Sequence, residues 1–183
     1  MNRSPHRRRW RSWIGGLWVA ALAGLLGACS TIDVTSGAGL DRNMRWAVLP
    51  LANHTETPLA GQRAASIVDN VLRTRGIADI VRPPPNLGAE SLFEPQDSQA
   101  TEKGLAWTRT QGVRYAVTGT VSEWRYKVGV DGEPAVGLTL QVIDLSNSKV
   151  VWSASGGRSG WSREALSAVA QKLVRDLTAP LAR

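Results

Sequence analysis

The chain has one cysteine, Cys29, and two histidines, of which only His54 lies beyond the first 28 residues. A lone cysteine excludes an internal disulfide. A thiol nucleophile needs a nearby base, and a Ser-His-Asp set built on His54 has no supporting motif. "GGRSGW" does not fit G-x-S-x-G, because Gly160 follows Ser159 directly. No phosphate-cradling loop, dinucleotide fingerprint or histidine-carboxylate metal cluster occurs, and Asp131-Gly132-Glu133 is too short for a calcium loop. These absences read as a protein with no catalytic residues, no metal and no enzymatic activity. A spanning helix is missing too: the apolar run Trp13 to Leu26 has 14 residues, against roughly 20 needed to cross a bilayer. The formal charge of +7 is concentrated at the start, since removing the five arginines there leaves 17 Lys+Arg against 15 Asp+Glu. Without a basic stripe interleaved with aromatics, nucleic acid is not an expected partner.

What is present first is an export signal. Arg3, Arg7, Arg8, Arg9 and Arg11 precede the apolar run with no acid among them, and small residues follow. The end of this signal, Leu26-Gly27-Ala28-Cys29, resembles the bacterial lipobox. That resemblance implies that residues 1–28 are cleaved as a lipoprotein signal peptide. It also implies that Cys29 carries a thioether-linked diacylglycerol, with an acyl chain (palmitate) on the new N-terminus. This covalent lipid would be the only group resembling a cofactor. Ser30 stands where Asp would mark inner-membrane retention, so the expected location is the periplasmic face of the outer membrane. Each buried methylene contributes about 0.8 kcal/mol and one chain alone holds marginally, so three chains make a lasting anchor.

Residues 29–43, with "STIDVTSGAGLDRN", read as a lipidated flexible tether. The remaining 44–183 read as one periplasmic α/β domain, large enough for its own core. "RWAVLPL" is a short apolar run of a buried strand. Thr57 then Pro58 predicts a cap and first turn for a helix whose Ala64, Ile67, Val68, Val71 and Leu72 share a face. "IADIVRP" is a strand stopped by prolines, and Asp97 is a candidate cap for a weaker helix ending near Gly112. Three strands follow, "RYAVTGTVSEWRYK", "AVGLTLQVID" and "KVVWSAS". Ser162 then caps a helix with Leu166, Val169, Leu173, Val174 and Leu177 on one side. The expected fold is a single three-layer-like α/β domain, a mixed sheet of about five strands with three helices in the order β-α-β-α-β-β-β-α.

"WAVLPLANHTE…AASIVDNVLRTRGI" with "GVRYAVTGTVSEW" resembles the α/β lipoprotein domain shared by curli-secretion, TolB N-terminal and penicillin-binding-protein-activator families. "EWRYKVGVDGEPAVGLTLQVID…KVVWSASGGRSGWSRE" is similar to the PelC family, outer-membrane lipoproteins of Pel exopolysaccharide export in biofilm formation. The resemblance implies a homo-oligomeric ring, a dodecamer, that serves as a collar. The collar would pass a cationic polysaccharide to an outer-membrane β-barrel/TPR export protein.

Two groups of residues are candidates for these contacts. In "SGGRSGWS", Trp161 and Arg158 suit a membrane interface, an indole in the acyl boundary and a guanidinium at phosphates. The alternative is local: Trp161 before a Ser162 cap has the spacing of a hydrophobic staple with Leu166. Glu90, Glu94 and Asp97 lie in a segment with no base from Asn86 to Glu102. Repeated around a ring they would steer a polycation, though the same residues also read as a solvated loop. Two other readings stay open, an activator of a peptidoglycan synthase and a curli-type secretion subunit. The first would need a long tether, and the second would need spare membrane hairpins.

Overall fold

The structure is a computed structural model describing residues 30–35, 39–84, 96–129 and 132–182. Cys29, Glu90 and Glu94 lie outside these residues, as does the side chain of Asp97. The chain runs β1 (Ser30–Val34), β2 (Trp46–Val48), β3 (Ala52–Asn53), α1 (Ala60–Thr74), β4 (Ile80–Val81) and α2 (Gln96–Thr110). It continues through β5 (Tyr115–Tyr126), β6 (Pro134–Asp144), β7 (Lys149–Ser159) and α3 (Leu166–Leu177), with a 3-10 turn at Ala179–Ala182. The strands form one mixed sheet in the order β1-β7-β6-β5-β2-β4, with β3 beside β5. β2 runs parallel to β4 and β5, whereas β5, β6, β7 and β1 are antiparallel neighbours.

Strand alternation separates two faces of this sheet. One face presents Val136, Leu138, Leu140 and Val142 of β6, all buried, to the apolar sides of α1 and α3. Val68, Val71 and Leu72 of α1 and Val169, Leu173 and Leu177 of α3 complete that core. Among the described residues, the opposite face is covered at the β2 end alone. There Ala47, Leu49 and Ala116 are fully buried, and a Cβ added to Gly104 of α2 would lie 3.1 Å from Leu49 Cδ2. The described residues therefore form three layers over β2 and two over β6 and β7. Close approach requires glycine at several positions, Gly61 and Gly119 most sharply. A Cβ at Gly61 would sit 1.9 Å from the Leu51 carbonyl oxygen, and one at Gly119 would sit 2.0 Å from that of Thr139.

The α/β class, the three helices and the element order agree with the sequence reading, but the sheet has seven strands rather than five. The first additional strand lies in the expected tether. Residues 30–34 pair with β7, because Ile32 and Val34 alternate with Thr31 and Asp33 and the β7 edge would otherwise be unpaired. The second, β3, comes from the loop "ANHTE" and pairs with β5. Helix α1 starts at Ala60 rather than Pro58. The Thr57 hydroxyl donates to the Trp124 carbonyl at 2.6 Å instead of capping, and Leu59 adopts a left-handed backbone (φ 61°). Helix α3 starts at Leu166, not after Ser162, and its N-cap residue is Ala165. The first-turn N–H of Leu166 is instead satisfied by Tyr126 Oη at 3.2 Å.

Candidate membrane-facing site

The β1–β7 register sets Ser30 opposite Arg158. Residue 30 is therefore fixed at the end of β7, where the chain leaves for the loop before α3. The β5–β6 hairpin ends at the same place: Tyr126 pairs with Pro134, and the Gly160 N–H donates to the Pro134 carbonyl at 2.8 Å. Trp161 follows immediately and is 61 % exposed. Val128, at the hairpin end, is fully exposed and Tyr126 half so. One end of the sheet thus gathers Ser30, Trp161 and the hairpin.

The loop carrying Trp161 is pinned by its acid. The Glu164 N–H donates to the Trp161 carbonyl at 2.9 Å, and Glu164 Oε2 accepts the Trp161 N–H at 3.3 Å. Glu164 Oε1 accepts from Lys172 Nζ of α3 at 2.5 Å. The Lys172 hydrogen bond holds the Glu164 carboxyl below the usual range, helped by the Trp161 N–H and the charges of Lys172 and Arg158, against partial desolvation. Tyr126 Oη also donates to the Glu164 carbonyl at 3.3 Å. Gly160 permits the tight path, since a Cβ there would meet Val169 Cγ2 at 2.4 Å. The staple alternative does not describe this loop: with α3 starting at Leu166, Trp161 lies well outside N′ and its ring is exposed.

Arg158 points the other way. Its side chain is 22 % exposed and ion-paired with Asp176 of α3, so its charge first ties β7 to that helix. Two other cations belong to this end of the sheet. Lys127 Nζ donates to Ser159 Oγ at 2.7 Å. Arg163, exposed and with a left-handed backbone (φ 67°), has no ion pair or hydrogen bond among the described residues. Arg163 was legible in "GWSRE" as the neighbour of Trp161; Tyr126 and Val128 join only through the hairpin's position.

Asp97 falls within the first turn of α2, which starts at Gln96, rather than at its cap. His54 donates its backbone N–H to Val121 and stands beside the network in which Asn53 Oδ1 accepts from Thr55 and Asn53 Nδ2 donates to the Thr57 carbonyl. With Glu56, Glu123 and Arg125 it lines an open cleft of about 510 Å³. Among the described residues no three His, Cys, Asp or Glu side chains converge as a metal site, and no helix is long and apolar enough to cross a membrane.

No protein-family model and no curated protein sequence matches this chain. Solved structures do. The PelC dodecamer from Paraburkholderia phytofirmans is 47% identical, over 84% of this chain and 97% of that one, with a TM-score of 0.71. A dodecamer of a single-substitution variant of the same protein gives 46% identity, coverages of 84% and 98%, and a TM-score of 0.70. A lipoprotein from Neisseria meningitidis is 17% identical over 76% of this chain and 98% of its own, with a TM-score of 0.51, and shares the fold. Nearly half of the aligned residues agree along almost the full length of a PelC protein; this chain belongs to the PelC family.

Proposed function

We propose that this protein is a non-enzymatic, lipid-anchored periplasmic subunit at the inner leaflet of the outer membrane. It assembles into a homo-oligomeric collar that guides a cationic exopolysaccharide, Pel, to an outer-membrane export barrel, and so serves biofilm matrix secretion. The observation that carries this reading is the pairing of Ser30 with Arg158. A lipid on Cys29 would emerge one residue from a strand fixed beside Trp161, so that anchor and indole act at one end of the sheet. Trp161 then seats in the headgroup boundary, with Arg163 and the Arg158 end of β7 near the phosphates. Glu90, Glu94 and Asp97, repeated around the collar, attract the polymer without binding it tightly. The dodecameric state of relatives 46–47% identical supports assembly of copies.

The peptidoglycan-synthase activator is disfavoured because β1 begins directly after Cys29 and leaves no reach before the domain. The curli-type reading needs free hairpins, but β5, β6 and β7 all bury one face under α1 and α3. The test is export of polysaccharide from cells in which Trp161→Ala, or Glu90→Lys with Glu94→Lys and Asp97→Lys, replaces the native chain at equal abundance. Both are expected to reduce export. Unchanged export in the first removes Trp161 from the account, and in the second removes electrostatic steering.

A further inference from the structure

Helices α1 and α3 pack against each other, and between their first turns lies a cleft of about 580 Å³. Its walls follow from two periodicities. Arg63, Ser66 and Ile67 share one face of α1, and Trp124 and Tyr126 share one face of β5. Leu166, at the start of α3, closes the third side. The Tyr126 hydroxyl is held by the Leu166 N–H and the Glu164 carbonyl, which fixes its ring as a wall. Among the described residues Arg63 is the one charged group lining the cleft. It is exposed and has no ion pair or hydrogen bond among them. Trp124 is 3 % exposed, and its indole N–H has no acceptor among the described residues. Helix α3 begins here without a side-chain cap, which adds first-turn N–H groups and the positive end of the helix. The acid next along the chain, Glu164, is already engaged by Lys172 and the Trp161 N–H.

Unpaired donors beside apolar walls fit a ligand that is anionic at one point and hydrocarbon next to it. We infer that this cleft binds the phosphate and glycerol region of a membrane phospholipid. Arg63 takes the phosphate, for which its planar fork of donors is suited, and the first methylenes of the chains lie over Ile67, Tyr126 and Leu166. Three features select a lipid over a soluble anion. The walls offer a soluble ion almost no hydrogen bonds, whereas they remove methylenes from water. The cleft reaches Tyr126 and Leu166, at the sheet end where Trp161 is exposed and Ser30 is fixed, so a lipid enters without leaving the bilayer. Past Ser66 and Ser167 the groove turns polar, with Asn70 and Gln171, so the rest of each chain stays in the bilayer instead of following the helices. The inference rests on the reading that this end faces a membrane, and it gives that end a lipid site separate from the Trp161 loop.

The test uses the full chain in mild detergent, dioctanoyl phosphatidylglycerol as the probe and native mass spectrometry as the readout. One saturable adduct per chain is expected. Arg63→Ala should weaken it about tenfold or more, the loss of a charge-assisted contact, and Arg63→Lys should restore part of it. Arg63 is a surface residue, so both variants should keep the native Tm. Dioctanoylglycerol keeps the chains and lacks the phosphate, and should bind about tenfold more weakly than the phospholipid. Trp161→Ala should keep the adduct, because that indole does not line the cleft. No saturable adduct, equal binding by Arg63→Ala, or loss of the adduct in Trp161→Ala overturns the cleft as a lipid site. Inorganic phosphate displacing the lipid at matched concentration also overturns it, marking an adventitious ion only. The mass of the chain itself separates this inference from the anchor reading. An unlipidated Cys29 contradicts the anchor, whereas a lipidated chain lacking the Arg63-dependent adduct contradicts the cleft alone.

Discussion

Ser30 lies directly across the antiparallel β1–β7 pair from Arg158, which is itself ion-paired to Asp176 of α3. The first residue after the proposed anchor is thereby coupled to the sheet and, through one guanidinium, to the helix whose entry loop carries Trp161. Under the proposed anchoring, orientation relative to a lipid surface would be a property of the fold rather than of a slack tether.

Slack introduced at that point should therefore cost function without costing attachment. A Gly-Ser insertion of about ten residues between Cys29 and Ser30 spans roughly 17 Å as a random coil, enough to release the sheet end from the bilayer. Membrane-fraction abundance is expected to stay at the native level while polysaccharide export drops. Native export from the insertion variant would show that the short connection has no role.

Trp161 and Trp152 should separate surface function from core stability. Trp161 is exposed, so Trp161→Ala should change unfolding free energy by no more than about 0.5 kcal/mol. Trp152 is buried in β7, and Trp152→Ala should cost about 3–5 kcal/mol. Urea titration of the domain lacking the lipid measures both. Binding of that domain to anionic vesicles should weaken several-fold for Trp161→Ala alone.

The Glu164 contacts give a pH dependence with a defined sign. The folded carboxyl titrates below its ordinary value. The loop contacts are therefore fully present above the ordinary value and are lost as pH falls through the lower, folded one. The Trp161 backbone amide resonance should shift with a midpoint below the ordinary glutamate value in an NMR titration, and Glu164→Gln should abolish the shift. A midpoint at or above the ordinary value would contradict the hydrogen bonds drawn here.

Gly119 and Gly61 should tolerate no side chain. Their added Cβ atoms would meet carbonyl oxygens at 2.0 and 1.9 Å, backbone groups that cannot step aside. Each Gly→Ala change should lower stability by about 2 kcal/mol or more, seen as a lower urea midpoint. Gly129, with open space around it, is the matched control and should change little.

Much of this architecture is written in periodicity. Val136, Leu138, Leu140 and Val142 announce a half-buried strand, and Val68, Val71 and Leu72 a helix face, because burial of one side is a local pattern. β1 was hidden because Ser30–Val34 is short and holds only two apolar residues, and its reason for being a strand is the unpaired edge of β7, more than a hundred residues away in sequence. Both helix starts were misplaced for a related reason. Thr57 and Tyr126 spend their hydroxyls on tertiary partners, Trp124 and Leu166, which no local capping rule anticipates. At the site, Trp161 was legible as an aromatic among glycines and serines. The engagement of Arg158 by Asp176, and the arrival of Val128 and Tyr126 at the same end, depend on strand register.

The account's central claim is that a lipid on residue 29 holds the Ser30 end of this sheet against a bilayer. Mass spectrometry of the native protein extracted from the membrane fraction tests it most directly. The account predicts an N-terminal peptide that begins at Cys29 and carries the combined mass of diacylglycerol and one further acyl chain. A free thiol at Cys29, or a peptide still joined to residues 1–28, would contradict it.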